Sequence, residues 1–153
     1  MFRIKVPRAI VLSLSIALGL PQFTSAQVVI NELDLTGHWV ELKNIGAESE
    51  DLSNWWLCTS PEYGQIGTLH VISGSTNLEP DSFLVIAWPD AKRAHGELGL
   101  YKGSDFANPN QIVDYVQYGE AGQPTESVAV LGCGRSPHQS SSTGLMAWKY
   151  RFT

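Results

Sequence analysis

The chain has 153 residues, 43% of them hydrophobic and 16% charged, with ten Lys and Arg set against fifteen Asp and Glu. That length leaves room for one domain, and the acidic balance lacks the basic stripe that counterion-release binding to nucleic acid requires. The first 26 residues have the layout of a secretory signal peptide. Arg3, Lys5 and Arg8 precede an apolar run over 9–20 (AIVLSLSIALGL), and 21–26 ends in small residues, which predicts cleavage after Ala26. The apolar run is shorter than the roughly 20 residues a spanning helix needs, and no second run of its kind follows, so no membrane span is expected after cleavage. Three of the ten basic residues leave with the leader, which leaves seven against fifteen and a net charge of −8 with His neutral. The expected destination is secreted, periplasmic or cell-surface.

Residues 28–35 alternate on neither face cleanly, because Ile30 and Leu33 fall on opposite parities. This predicts a bulge or a strand end near Asn31. Residues 38–44 alternate regularly, and Thr36-Gly37 between the two runs predicts a hairpin. A polar bend over 45–54 leads to a short strand at 55–59, with Trp55 and Leu57 on one parity and Trp56 and Cys58 on the other, so both of its faces are apolar. Further strands are predicted at 68–72, at 83–88 (FLVIAW, the run expected to be buried on both faces), at 98–101 and at 112–118. One helical turn is expected within 90–97. After the break at 119–126, residues 127–131 read as one more strand, 134–143 as a flexible loop, and 146–153 as a closing edge strand. Strands at this spacing, punctuated by Gly and Pro, predict an all-β sandwich. The domain is expected over 27–119, with 120–153 a partly ordered C-terminal extension.

Cys58 and Cys133 are the two cysteines of the chain. In an exported protein they most simply pair with each other, closing a loop that in the chain-entropy treatment contributes about 4 to 5 kcal/mol. The alternative is a buried apolar thiol at Cys58 and a loop thiol at Cys133.

VVINELD, HWVELKN, DLSNWWL, LEPDSFLVIA, ELGLYKGSD and IVDYVQYG, in that order, resemble the lamin-tail domain family. Bacterial secreted members of that family show an INE opening, a WVEL strand, a DLS-x-W turn, an L-x-P-x-x-x-LVI strand and an I-D-x-V-x-Y-G strand. Here Val113 stands before Asp114 in the last of these. The resemblance covers 28–119 and implies an immunoglobulin-like β-sandwich acting as an interaction module, extracellular in the bacterial versions. It also marks Asn31, Glu32 and Glu41 as pattern positions.

Three functional expectations follow. The first is an exported, non-enzymatic module binding a protein or a cell-surface glycan partner. The second is a metal-dependent hydrolase on Glu32, Asp34 and Glu41, which a hairpin can gather on one face and whose oxygens suit Ca²⁺. The competing reading gives these carboxylates to solvent, to Lys43 or to backbone amides. The third is a carbohydrate-binding module in which an outward Trp56, with Tyr63 or Tyr118 nearby, forms the contact. Its alternative packs both tryptophans. His38, His70, His95 and His138 lie apart without an HExxH, and there is no G-x-S-x-G elbow or phosphate-cradling glycine loop.

Overall fold

A computed structural model of the chain describes residues 28–89, 94–133, 138–142 and 145–151, with side chains described through Gly132. The leader, its cleavage site at Ala26 and most of the turn expected within 90–97 lie outside these residues.

The chain forms the expected all-β sandwich. The strands are β1 (Val28–Asp34), β2 (Trp39–Asn44), β3 (Glu50–Asp51), β4 (Trp56–Cys58), β5 (Tyr63–Gln65), β6 (Val71–Ser73), β7 (Asn77–Leu78), β8 (Phe83–Ala87), β9 (Gly96–Tyr101) and β10 (Ile112–Tyr118). A helix, α1 (Glu126–Cys133), comes next, then β11 (His138–Ser142) and β12 (Leu145–Arg151). A four-stranded sheet runs β1-β2-β8-β6, a six-stranded sheet runs β11-β12-β10-β9-β4-β5, and β3 pairs with β7. All pairings are antiparallel.

Val28, Ile30, Val40, Leu42, Leu84 and Ile86 from the first sheet meet Leu57, Leu98, Leu100 and Val113 from the second, and these side chains make the core. Of the bulge or strand end expected near Asn31, the structure has the first, as a register shift between Ile30 and Glu32 within a continuous strand. At that irregularity the Ile30 amide donates to the buried Asp114 carboxylate, 2.8 Å away on β10, and this bond ties the two sheets together. Asn44, fully buried, donates to the Glu48 and Leu78 carbonyls at 2.7 and 2.9 Å. It thereby fastens the bend after β2 to the β3–β7 pair.

Four expectations are corrected. Residues 127–131 belong to α1, whose start is set by Thr125: its carbonyl accepts from Val128 and Ala129 at 3.0 and 3.1 Å. The alternating valines are overridden because Ala129 packs, fully buried, against Cys58, Tyr101, Ile112 and Tyr115 on the outer face of the six-stranded sheet. That helix also explains the second correction. The strands buried on both faces are β9 and β10, roofed on their outer side, whereas β8 alternates between buried and open positions. Third, 138–142 pairs as a strand with β12, so β12 lies between β11 and β10 rather than at an edge. The fourth concerns the expected Cys58–Cys133 bridge, since Cys58 is a free thiol. It sits at 4% exposure among apolar side chains, where it fills space as a small hydrophobe. Cys133 ends α1 and its side chain lies outside those described. Among the described residues no helix is long and apolar enough to cross a membrane.

Candidate functional site

The carboxylates proposed for a metal are placed near one another but are used separately. Glu32 and Glu41 face each other across the β1–β2 ladder. Glu41 accepts from the Asn31 side-chain amide at 2.7 Å, and Glu32 is exposed. Asp34 turns inward to the hairpin, where one of its oxygens accepts from the Thr36 and Gly37 amides, both at 2.7 Å. These amides, Gly37 first and Thr36 second, hold its carboxyl below the ordinary value of 3.8. No group of three or more His, Cys, Asp or Glu able to hold a metal ion is present among the described residues. The convergence expected of Glu32, Asp34 and Glu41 therefore fails on geometry: the turn claims Asp34, and the bulge residue Asn31 claims Glu41.

The aromatic residues behave differently. Trp55 enters the core at 7% exposure while its neighbour Trp56 points to the opposite face and stays half-buried. Period-two alternation requires this of adjacent residues in a strand. Diagonal to Trp56 on the outer face, across from Cys58, stands Tyr63 of β5, 62% exposed, with its ring centroid 6.0 Å from that of Trp56. A third ring closes the group: Phe106 lies 6.2 Å from Trp56 and 5.4 Å from Tyr63. Phe106 comes from the loop between β9 and β10. That loop is held by Lys102 donating to the Gln111 carbonyl at 2.8 Å, and by the Gln111 side chain accepting from the Asp105 amide at 3.2 Å. Beneath Phe106 is the fully buried Tyr101, edge-on at 5.1 Å.

Sequence reasoning named Trp56 and Tyr63 and missed Phe106, an isolated aromatic in a polar loop with no periodicity to mark it. It also named Tyr118, which is 2% exposed. Tyr118 pairs across the ladder with Gly96, and a Cβ at Gly96 would lie 2.6 Å from the Tyr118 hydroxyl oxygen. The ring lies over the side-chain-free position and not on the surface.

One other polar cluster is notable. Glu97 of β9 is 1% exposed, and one of its oxygens accepts from the Tyr115 hydroxyl (2.7 Å), the Thr125 amide (3.0 Å) and the Thr125 hydroxyl (2.9 Å). This carboxylate seats the start of α1. It is closed off from solvent, so its evident work is architectural. Burial pushes the nearby Cys58 thiol above its ordinary value, and that is the reverse of what a nucleophilic thiol needs. On the solvent side of α1, Gly122, Gln123, Glu126, Ser127, Val130 and Leu131 line an open groove of about 550 Å³. The Glu126 carboxylate there is occupied by the Gly122 amide at 2.6 Å.

Compared with family models, with curated proteins and with solved structures, the chain matches none.

Proposed function

We propose that the mature chain is an exported, non-enzymatic binding module of the lamin-tail type, with an immunoglobulin-like sandwich, and that it engages a protein partner through Trp56, Tyr63 and Phe106. The observation that carries this reading is the convergence of three rings, from two strands and a loop, on one open end of the six-stranded sheet. Clustered Trp and Tyr side chains with exposed faces are what binding hot spots are made of. The rings are mutually tilted by 50°, 69° and 44°. A flat polysaccharide chain stacks best on coplanar rings, so the tilt favours the irregular, knobbed surface of a polypeptide.

The test is a parallel screen of the mature chain, from Gln27, on a glycan array and against a displayed random-peptide library, with Tyr63→Ala alongside. Peptide ligands that lose at least tenfold in affinity on Tyr63→Ala support the reading. Glycan ligands alone, or peptide binding indifferent to Tyr63, would overturn it.

A further inference from the structure

The six-stranded sheet ends at β5, beside the ring cluster. The Ile66 amide donates to the Trp55 carbonyl at 2.8 Å and the Thr59 amide to the Glu62 carbonyl at 2.8 Å. The β4–β5 register pairs Trp56 with Gln65, Leu57 with Gly64 and Cys58 with Tyr63. In an antiparallel ladder, bonded and non-bonded pairs alternate. Gly64 is therefore the β5 residue bonded to β4, and the backbone groups of Tyr63 and Gln65 point away from β4, toward the open edge. The Gln65 carbonyl is taken by the Thr68 hydroxyl at 2.8 Å. What faces outward is the Tyr63 N–H, the Tyr63 C=O and the Gln65 N–H, spaced as one more strand would need them.

The two segments that carry the rings are free of basic side chains. Residues 44–91, which carry Trp56 and Tyr63, contain no Lys or Arg, and neither do residues 103–134, which carry Phe106. Lys102, between the two segments, is directed to Trp55 at 5.4 Å. Glu62 immediately precedes β5, and one of its carboxylate oxygens is buried without a hydrogen-bond partner, so this acid lies under the edge and does not face it. Asp105 precedes Phe106 and is exposed.

Resting on the reading above, we infer that β5 is a docking strand for an extended, basic polypeptide segment, which adds to the edge of the six-stranded sheet. The incoming residue opposite Tyr63 exchanges both backbone bonds with it, and the residue two positions away accepts from the Gln65 amide. A directly opposed residue projects to the same face as its partner. An Arg or Lys there lies over the Tyr63, Trp56 and Phe106 rings, with the ring faces attracting the cation and the exposed Asp105 beside Phe106 supplying the counter-charge. A sugar polymer offers neither the strand repeat nor the cation.

The experiment titrates ¹⁵N-labelled mature chain with a synthetic eight-residue peptide of alternating Val and Arg. The same peptide methylated on the backbone nitrogens of one edge, a Val/Glu counterpart and chitohexaose serve as comparisons. The protein variant is Gln65→Pro. Gln65 already has φ −76° and ψ 126°, which proline adopts without strain, and its amide is not used by β4, so the ladder stays intact while the edge loses a donor. Expected are shifts at the Tyr63 and Gln65 amides and the Trp56 indole with the Val/Arg peptide. Affinity should fall at least tenfold with Gln65→Pro and with one of the two methylated edges, and the Val/Glu peptide should not bind. Should the peptide bind equally well to Gln65→Pro and in both methylated forms, the docking-strand inference falls while the aromatic contact stands. No binding by the Val/Arg peptide, or competition by chitohexaose, overturns the inference outright. Indifference to Tyr63→Ala removes the underlying reading with it.

Discussion

Replacing Glu97 with alanine should unseat α1 before it unfolds the sandwich. The side chain is the shared acceptor for the Tyr115 hydroxyl and for both the amide and hydroxyl of Thr125, and Thr125 is the residue whose carbonyl opens the helix. Truncation strands three donors in a site that is 1% exposed. Each stranded donor costs about 1 to 3 kcal/mol, and the Tyr115 hydroxyl has a fallback acceptor in Gln117 at 3.4 Å. The expected loss is about 3 to 5 kcal/mol, a large part of a total stability on the order of 5 to 15 kcal/mol. Glu97→Gln keeps the shape and one acceptor oxygen, and should lose about 1 to 2 kcal/mol. Urea unfolding followed by circular dichroism measures the global cost. Amide exchange over α1 and the reaction rate of Cys58 with a disulfide reagent measure the local one, because Ala129 packs in the cluster that encloses that thiol. The reasoning is refuted if the alanine variant costs under about 1 kcal/mol, or if α1 exchanges no faster than in the parent chain.

Further outcomes are expected. Asp34 and Asp51 both have carboxyls lowered below 3.8, by the Gly37 and Thr36 amides and by the Ser53 amide respectively. Their contribution is fully present above that unfolded value and is lost as pH falls through the lower folded one, so an Asp34→Asn, Asp51→Asn double variant should show a flatter acid limb in a stability-against-pH series. Millimolar Ca²⁺ should leave the thermal midpoint unchanged, since Asp34 is committed to its turn and Glu41 to Asn31; a rise with ion concentration would restore the carboxylate site. In unreduced protein, Cys58 should resist alkylation while folded and react once guanidinium removes the burial that raises its pKa. Failure to react in denaturant without reductant would show that it is bridged.

The sequence reading succeeded where one residue's neighbours decided its fate. The parity conflict between Ile30 and Leu33 marked an irregularity near Asn31, a bulge or a strand end, and the structure has the bulge there; the adjacent tryptophans had to divide between two faces. It failed where a distant segment decided. FLVIAW looks doubly buried, yet it alternates, with Leu84, Ile86 and Trp88 buried and Phe83, Val85 and Ala87 partly open, because no described element roofs the outer side of that sheet over β8. β9, with Gly96, Glu97 and Gly99 among its six residues, looks too polar and too small to be buried on both faces. It is nonetheless, because Tyr101 lies over Gly99 and α1 covers Glu97. The valines of 128–130 carry strand propensity, and tertiary packing of Ala129 with the Thr125 start outweighs it. Tyr118 and Phe106 exchanged roles for the same kind of reason: the ring opposite a glycine sinks, and the ring on a braced loop is carried onto the surface cluster.

β4 separates stability from recognition within three residues. Leu57 faces the core at 0% exposure, while Trp56 faces the ring cluster on the other side of the same strand. Leu57→Ala removes a buried side chain between two sheets and should cost about 2 to 5 kcal/mol. Tyr63→Ala, at an exposed position with a partner ring on each side, should change stability by no more than about 0.5 kcal/mol. If the rings form a binding surface, the effects on ligand affinity run the other way: Tyr63→Ala abolishes binding in a protein that melts normally, and Leu57→Ala preserves binding in whatever fraction remains folded. This inversion follows from preorganisation. The rings are fixed by the buried Tyr101 and by a loop braced on Gln111, so a ligand meets a surface that is already ordered and its affinity does not carry the cost of building it. Measured melting and affinity that moved together across the two variants would show that the cluster is an outlying part of the core, and that the contact surface must be sought elsewhere on the sheet.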